Sequence, residues 1–231
     1  MELIALGACG AYPLPDMGTS CYLVKSDVNL VFDFGATALS RIEKFCKIEE
    51  LDGIFLSHFH SDHISDIFTL RYHNFFKSGK KLNVYMLEDD SLECAMIGNI
   101  DCFNVTYFDV GSVVEIGETK IEVVRSSHVG KAVGFVISHN GKSIYYTADT
   151  KLSESVKYFA KTANVLLCDC FADTAYFNEN MPHMSVSDVN SLAKICKGKT
   201  IATHLYPTRI SEIEKELQGV EIIEEQKVYE I

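Results

Sequence analysis

The chain has 231 residues, 47% of them hydrophobic and 23% charged, which is enough to bury a sizeable apolar core in an ordinary globular protein. Its formal net charge of −11 would repel a long polyanion, which argues against an extended nucleic-acid footprint but is compatible with a small anionic substrate at a metal-lined site. No stretch approaches roughly 18 apolar residues, and the start, MELIALGACGAYP, lacks the basic and long apolar segments of a signal peptide, so we expect no membrane span and no secretion signal.

Cysteine usage and the lack of linkers bear on the compartment and on the number of domains. The eight cysteines show no CxxC pair, and a chain of this length does not need disulfides. We therefore interpret them as small core residues in a reducing cytoplasm. The four prolines form no cluster, and no Ser/Gly-rich or charge-block stretch interrupts the sequence, so we expect one domain over residues 1–231.

Strand and helix patterns alternate along the first half of the chain. The strand-like runs are LIALG, CYLVKS and NLVFDFG; TALSRIEKFC then has helical spacing, and LDGIFLSH is a continuous apolar run typical of a fully buried strand. The next segment, SDHISDIFTLRYHNFF, predicts an amphipathic helix capped near Ser61 or Asp62. KLNVYML and NVTYFDV follow as strands, with a short helix in DDSLECAMIG between them.

The second half begins with strands and then alternates strand and helix. The segments TKIEVVRSSH and AVGFVISHNGKSIYYTAD predict strands, with a hairpin turn at Asn140-Gly141. Helices are predicted in LSESVKYFAK, SVSDVNSLAKICK and RISEIEKELQ, and strands in NVLLCDC, KTIATHL and the closing EIIEEQKVYEI. Two halves of this kind indicate an α/β protein in which two sheets pack on each other with helices outside, a four-layer αββα sandwich.

Four metal-ligand residue types crowd the segment LSHFHSDHISD, directly after the buried run. His58 and His60 are two positions apart at the carboxyl end of a strand and can aim at one point. Asp62 and His63 follow where the chain turns into a helix and can face a second point nearby. Imidazole and carboxylate suit zinc, with manganese or iron as alternatives. Because one ion rarely takes so many ligands from one short loop, we expect two divalent metal ions.

Three distant residues are candidates for the rest of the site. His128, Asp149 and His204 each end a predicted strand, in IEVVRSSH, SIYYTAD and TIATH. Ligand sites gather at the carboxyl ends of strands in open sheets. Four separate strand ends that all carry ligand residue types therefore favour one shared metal centre over coincidence.

The order HxHxDH, then His, Asp and His, resembles the metallo-β-lactamase-fold hydrolases over essentially the whole chain. The resemblance implies two ligand sets and one shared ligand: His58, His60 and His128 for one metal, Asp62, His63 and His204 for the other, and Asp149 bridging both. Asp33, in FDFGA, sits where this superfamily carries a structural aspartate.

Within that superfamily, the C-terminal stretch MPHMSVSDVNSLAKICKGKTIATHLYP resembles the ribonuclease Z branch, and GACGAYPLPDMGTSCYLV resembles its short-form relatives. His183 matches a histidine that reaches over the metals, and Asp169, in LLCDCF, matches an acidic residue that can orient it. The resemblance also suggests a homodimer. Only the twenty residues 129–148 separate His128 from Asp149, too few for the long arm with which the tRNA-processing enzymes grip tRNA.

These features predict a dinuclear metal-dependent hydrolase, a phosphodiesterase for small or short phosphodiesters such as cyclic nucleotides. In this hypothesis the metal pair lowers the pKa of a shared water and Asp62 orients that nucleophile. His183, its ring fixed by Asp169, stabilises the transition state or protonates the leaving alkoxide. The alternatives are a tRNA 3′-end endonuclease that compensates for the missing arm, a thioesterase or lactonase on the same scaffold, and a non-catalytic metal-binding member. The complete ligand set together with His183 argues against the last.

Other polar and aromatic residues carry less specific signals. His73 in the helix after the motif and His139 beside the predicted hairpin turn are interpreted as surface or packing residues. Candidates for substrate contact, in loops near the inferred site, are Tyr12, Tyr176, Tyr206 and Arg209.

Overall fold

The computed structural model describes residues 1–77 and 79–231, and within these residues the strands form two seven-stranded sheets. The first sheet contains β1 (Glu2–Gly7), β2 (Cys21–Lys25), β3 (Asn29–Phe32), β4 (Gly53–Phe55), β5 (Leu82–Leu87), β6 (Phe103–Phe108) and β14 (Val228–Glu230), in the order β14-β1-β2-β3-β4-β5-β6. Strands β3 to β6 run parallel to one another, and the remaining pairs are antiparallel.

The second sheet contains β7 (Val113–Ile116), β8 (Thr119–Arg125), β9 (Val133–His139), β10 (Lys142–Tyr146), β11 (Val165–Asp169), β12 (Lys199–Thr203) and β13 (Glu221–Ile222), in the order β13-β12-β11-β10-β9-β8-β7. Here β10 to β13 run parallel, so each sheet has one parallel half. The helices are α1 (Ala38–Ile42), α2 (Ser61–Ile64), α3 (Ile67–Lys77), α4 (Leu92–Gly98), α5 (Glu154–Ala160), α6 (Val186–Ala193) and α7 (Ile210–Glu216). Short 3-10 helices occupy Ile48–Glu50 and Pro207–Arg209.

Three apolar clusters separate four layers of structure. A central cluster joins the facing sides of the two sheets, with Phe32 and Phe55 from the first sheet against Phe135 from the second. A second cluster packs α1, α3 and α4 on the outer face of the first sheet. A third packs α5, α6 and α7 on the outer face of the second. The predicted αββα sandwich is therefore confirmed.

Side-chain alternation explains why strands that read as continuous apolar runs are buried on both faces. In β11, Leu167 points into the central cluster, whereas Leu166 and Cys168 on either side of it pack against the outer helices. Successive strand residues face opposite sides of a sheet, so a strand covered on both sides needs apolar residues at every position. The apolar residues VLLC of this strand thus satisfy both interfaces at once.

The predicted helix over residues 61–76 is interrupted, which corrects the sequence-based expectation. It divides into α2 and α3, and α2 has His60 as its N-cap in place of Ser61 or Asp62. The backbone of Phe34 explains the break: its N–H donates to the carbonyl of His63, and its carbonyl accepts from the N–H of Asp66. These bonds tie the loop after β3 to the metal-ligand segment, and they take backbone groups that a continuous helix would use itself.

The closing segment EIIEEQKVYEI also differs from the single predicted strand. Its first part, β13, pairs with β12 in the second sheet, and its last part, β14, pairs with β1 in the first. Glu225, between them, accepts hydrogen bonds from the backbone N–H groups of Ala8 and Gly18. The C-terminal segment thus connects the two sheets and anchors the N-terminal loop.

Two further findings bear on the expected surroundings of the protein. Among the described residues, no helix has the length and apolar character needed to cross a bilayer. All eight cysteines lie within the described residues and carry free thiols, and six of them are buried. The interpretation of the cysteines as small core residues therefore holds for most of them.

Phe135 offers a direct test of the central core. Its ring is fully buried, and its centroid lies 5.3 Å from that of Phe32, 5.8 Å from Phe55 and 5.9 Å from Phe108. We expect Phe135→Ala to lower the free energy of unfolding by about 3–5 kcal/mol, because both the transfer energy and the packing around a cavity are lost. Equilibrium urea unfolding measures this. Phe76→Ala, at a ring that is 78% exposed, should change stability by less than about 0.5 kcal/mol.

Candidate metal centre

All seven predicted metal ligands lie together at one edge of the two sheets, on segments that follow strand ends. The loop after β4 carries His58 and His60, and the helix α2 that continues it carries Asp62 and His63. The loops after β8, β10 and β12 carry His128, Asp149 and His204. The parallel strands of each sheet end at the same edge, which brings residues far apart in sequence to one place. The ligand atoms fall into two overlapping groups, and within each the atoms lie within 4.8 Å of one another.

The first group contains His58, His60, His128 and one oxygen of Asp149. His60 Nδ1 lies 3.0 Å from His58 Nε2 and 3.1 Å from His128 Nε2. Asp149 Oδ2 lies 3.6 Å from His58 Nε2 and 3.8 Å from His128 Nε2. Four donor atoms of three imidazoles and a carboxylate thus surround one point.

The second group contains Asp62, His63, His204 and the other oxygen of Asp149. His204 Nε2 lies 3.1 Å from Asp62 Oδ2 and 3.3 Å from Asp149 Oδ1. His63 Nε2 lies 3.2 Å from Asp149 Oδ1 and 3.7 Å from Asp62 Oδ2. Asp149 therefore turns one carboxylate oxygen toward each group.

The donor atoms fit divalent cations in spacing and in chemistry. A tetrahedral zinc ion with bonds of about 2.0–2.1 Å has ligand atoms about 3.3–3.4 Å apart, and the measured separations scatter around that value. His63 Nε2 and Asp149 Oδ1 are buried and have no hydrogen-bond partner among the described residues. Since buried polar atoms are nearly always satisfied, these two atoms indicate a missing ligand between them. The residues thus could hold a metal at each group.

Burial keeps the first group in the form that binds metal. It lowers the pKa of His58 well below the ordinary histidine value, and it is also the main cause of the lowered pKa of His60 and of His128. A neutral imidazole offers a free lone pair, whereas a protonated one does not. These three side chains are therefore ready to act as donors at neutral pH.

The second group has an excess of negative charge. Burial alone would lower the pKa of His63 and His204, but nearby carboxylates, Asp149 first, raise both, that of His204 to about 10. Burial alone would raise the pKa of Asp149, yet His204 and His63 hold it well below the ordinary aspartate value. Two carboxylates thus lie against these two imidazoles, and a bound cation would compensate their negative charge.

The buried carboxylate of Asp33 holds the ring of His63 directly and that of His58 through Ser57. Asp33 Oδ2 accepts from His63 Nδ1 at 2.7 Å and from the Tyr146 hydroxyl at 2.7 Å. Its two oxygens also accept from the backbone and the hydroxyl of Ser57, and that hydroxyl lies 2.9 Å from His58 Nδ1. Outer partners of this kind hold ligating imidazoles in place. This arrangement agrees with the structural role that the family resemblance implies for Asp33.

His183 and Asp169 lie beside the two groups, as the resemblance predicts. Asp169 Oδ2 lies 3.0 Å from His183 Nδ1 and accepts from the backbone N–H of Thr150 at 3.1 Å. His183 Nδ1 is 3.9 Å from Asp149 Oδ2. Asp169 Oδ1 faces His204 Nδ1 at 3.7 Å, which is longer than a hydrogen bond. One buried carboxylate therefore stands behind both His183 and His204.

Unusual backbone conformations cluster at the centre. Ala11, Asp33, Ala148 and His204 all have φ between 48° and 68°, in the left-handed region that non-glycine residues rarely adopt. Gly10 has no side chain where a Cβ would lie 2.8 Å from the His204 ring. Strained residues of this kind persist where the surrounding structure fixes them, and they concentrate at functional sites.

The remaining candidates divide into two sets. His73 lies 3.0 Å from Glu43 on the surface of α3, and His139 lies 3.1 Å from Asp27 near the hairpin, so both agree with a surface or packing role. The three tyrosines cluster next to the metal centre, as the ring contacts between Tyr12, Tyr176 and Tyr206 show.

Sequence reasoning missed several outer contacts. Ser57 and Tyr146 hold Asp33, and the Pro182 carbonyl lies 2.9 Å from His128 Nδ1. The position of Ser57 directly before His58 was a usable signal, because a hydroxyl there can reach the ring next to it. A backbone carbonyl leaves no such signal, and Tyr146 resembles any other buried strand residue.

The chain is similar to proteins of known family and fold. The profile of the family described as "Anti-Pycsar protein Apyc1" matches residues 1–229. The "Probable metallo-hydrolase YhfI" of Bacillus subtilis (strain 168) is 26% identical over 212 residues, which cover 89% of this chain and 87% of that protein. An "Anti-Pycsar protein Apyc1" of Paenibacillus sp. (strain J14) is 26% identical over 164 residues, 64% of this chain and 66% of that protein.

Solved structures share the fold. The crystal structure of the metallo-β-lactamase fold protein YhfI from Bacillus subtilis has a TM-score of 0.91 and 24% identity, and the match covers 99% of this chain and 98% of that one. The crystal structure of human tRNase Z, short form, has a TM-score of 0.80 and 18% identity, and covers 100% and 99%. These likenesses confirm the predicted fold, the metallo-β-lactamase sandwich.

Proposed function

The chain belongs to the family described as anti-Pycsar protein Apyc1, and from this premise we propose that it is a phosphodiesterase with two divalent metal ions that acts on small phosphodiesters. Zinc suits the donor set best, with manganese or iron as alternatives. The proposed ligands are those predicted from the sequence: His58, His60 and His128 for one ion, Asp62, His63 and His204 for the other, and Asp149 for both.

The observation that carries this proposal is the orientation of Asp149. Its Oδ2 faces the first group of imidazoles, and its Oδ1 faces His63 and His204 in the second. A buried carboxylate that points one oxygen into each of two donor groups could serve a cation in each of them. Two cations held side by side in this way are the arrangement found in phosphatases and nucleases.

The residues around the groups have separate proposed tasks. When bound, the pair of ions supplies a water of lowered pKa and neutralises the non-bridging phosphate oxygens. Asp62, whose Oδ2 accepts from the backbone N–H of Ala11 at 2.8 Å, orients the nucleophile. His183 donates a proton to the leaving alkoxide, and Asp169 fixes its ring through Nδ1, so that Nε2 is the nitrogen that faces the substrate.

The short segment between His128 and Asp149 favours small substrates over a tRNA. Residues 129–148, between two proposed ligands, are taken up by the β9–β10 hairpin and its flanking turns, and no long arm interrupts them. The net charge of −11 disfavours a long polyanion as well. Relatives named anti-Pycsar proteins belong to the same family, and we propose nucleoside cyclic monophosphates as the first substrates to test.

The cellular setting remains a prediction. A reducing cytoplasm is consistent with eight free cysteines, and the homodimer follows from the ribonuclease Z resemblance alone. Sedimentation velocity of the purified protein tests the dimer.

A screen of metals against substrates tests the proposed function. We expect the purified protein, loaded with zinc or manganese, to bind two ions per chain and to hydrolyse cyclic nucleotides and bis(p-nitrophenyl) phosphate, and a chelator to remove this activity. Thioesters, lactones and precursor tRNA serve as competing substrates. Faster turnover of a thioester or lactone would contradict the proposal, and so would specific cleavage of precursor tRNA with no action on small phosphodiesters.

A further inference from the structure

Three tyrosines stand together on one flank of the metal centre, and the proposed two-ion chemistry does not use them. The backbone N–H just before Tyr12 donates to Asp62, and Tyr206 follows His204 by two positions. Tyr176 lies on the loop between β11 and α6 and contacts Tyr206. We name Tyr12, Tyr176 and Tyr206 the tyrosine shelf.

The rings of the shelf continue a stack that starts at the site. Phe171 is stacked on His183 with ring centroids 4.4 Å apart, and its centroid lies 5.0 Å from that of Tyr206. Tyr176 stacks on Tyr206 at 5.1 Å and 17°, and Tyr12 meets Tyr206 edge to face at 6.3 Å. Tyr12 and Tyr176 nevertheless remain 40% and 41% exposed. The solvent-exposed rings of Tyr12 and Tyr176 are therefore connected to the proposed catalytic histidine through Tyr206 and Phe171.

The loops that carry the shelf are fixed before any ligand arrives. Arg209 donates through Nε and Nη2 to both oxygens of Asp173, which is almost fully buried. The backbone N–H of Arg209 donates to the Tyr206 carbonyl, and that of Tyr176 donates to the Asp173 carbonyl. This two-pronged ion pair ties the Tyr206 loop to the Tyr176 loop. A preorganised surface loses little conformational freedom on binding, which favours recognition.

Exposed tyrosine rings beside a phosphodiester site suit one kind of substrate group. Each base of a nucleotide has a π-face that stacks on an aromatic side chain, largely without regard to its identity. We propose that the tyrosine shelf binds the base of a nucleotide whose phosphodiester lies at the two metal ions. The inference rests on the proposed phosphodiesterase function and narrows its substrates to base-bearing phosphodiesters, as opposed to sugar or alkyl phosphodiesters.

Kinetics with and without a base test the shelf. The substrates are a nucleoside 3′,5′-cyclic monophosphate and the base-free 1-O-methylribose 3′,5′-cyclic phosphate, both followed by phosphorus NMR. We expect Tyr176→Ala and Tyr12→Ala to raise KM for the nucleotide about tenfold, with kcat nearly unchanged, and to leave KM for the base-free compound as in the wild type. Equal rises in KM for both compounds, or no rise for either, would overturn the shelf.

Conservative variants separate stacking from structural damage. Tyr206→Phe keeps the ring that stacks on Tyr176 but loses the hydroxyl, so it should keep the wild-type KM if the ring face is what matters. Tyr206→Leu should raise KM for the nucleotide alone. Tyr158→Ala, at a tyrosine on α5 that is 64% exposed, is the surface control and should change neither constant.

A binding measurement distinguishes failure of the shelf from failure of the proposed function. Calorimetry compares a nucleoside 5′-monophosphate with ribose 5-phosphate and needs no turnover. Tighter binding of the nucleotide that is lost in Tyr176→Ala supports the shelf even if no phosphodiester is cleaved. Equal affinities for the two ligands would overturn the shelf, whereas hydrolysis of both cyclic compounds would leave the phosphodiesterase proposal standing.

Discussion

Asp149→Ala should release both metal ions together and reduce phosphodiesterase turnover by more than about 100-fold, beyond the 10- to 100-fold typical of losing an outer partner of a metal ligand. Asp149 sends one carboxylate oxygen to each donor group, so no other single substitution removes a ligand from both. Its loss also leaves five histidines crowded together without the central negative charge. Metal content by mass spectrometry and turnover of a cyclic nucleotide give the two readouts.

Two variants make the Asp149 result specific. His60 belongs to the first group alone, so His60→Ala should weaken the binding of one ion more than that of the other. Asp101→Ala removes a carboxylate that is 74% exposed and paired with Arg71, and it should keep both ions and full turnover. If Asp149→Ala lost one ion and retained the second at wild-type affinity, Asp149 would not be the bridge.

The gathering of the seven proposed ligands was predictable from the sequence because it follows from strand order. Three of the four ligand-bearing strands lie in the parallel halves, β4 in the first sheet and β10 and β12 in the second. The fourth, β8, is antiparallel to β9, which is antiparallel to β10, so β8 runs in the direction of β10 and ends at the same edge. The HxHxDH spacing supplied the local half of the evidence. The fold class followed in the same way from buried apolar runs that alternate with helical patterns.

Features that depend on contacts between distant loops were not predictable. The break between α2 and α3 comes from the backbone of Phe34, and its sequence shows only a continuous amphipathic pattern. The separation of β13 from β14 likewise depends on where each sheet has a free edge. In both cases hydrogen bonds between distant segments override the local sequence pattern.

The tyrosine shelf shows the same limit at the level of function. Loop aromatics near an inferred site are common, and the sequence placed Tyr12, Tyr176 and Tyr206 no more precisely than that. The structure joins them through Tyr206 and connects them to His183 through Phe171. Because the three tyrosines are connected to the proposed proton donor, they can be tested together as one substrate-binding surface.

His183→Ala should retain both metal ions but lose about 10²- to 10⁴-fold in turnover of a nucleoside cyclic monophosphate, the usual contribution of a general acid. His183 is not a member of either group formed by the seven proposed ligands alone, although its ring lies near Asp149 and His204 in a third group that includes Asp169. Asp169 takes its Nδ1. In the proposed function, Nε2 is then free to protonate the leaving ribose oxygen.

Substrates with different leaving groups distinguish a general acid from a packing residue at His183. A p-nitrophenolate leaves without a proton, so His183→Ala should slow the hydrolysis of bis(p-nitrophenyl) phosphate much less than that of the cyclic nucleotide. His183→Phe keeps a ring to stack on Phe171 yet cannot donate a proton, and it should behave like the alanine variant. Asp169→Asn should give a smaller loss with the same dependence on leaving group. Equal losses for both substrates, or recovery of turnover in His183→Phe, would mean that His183 supports the site by packing and that the proton comes from elsewhere.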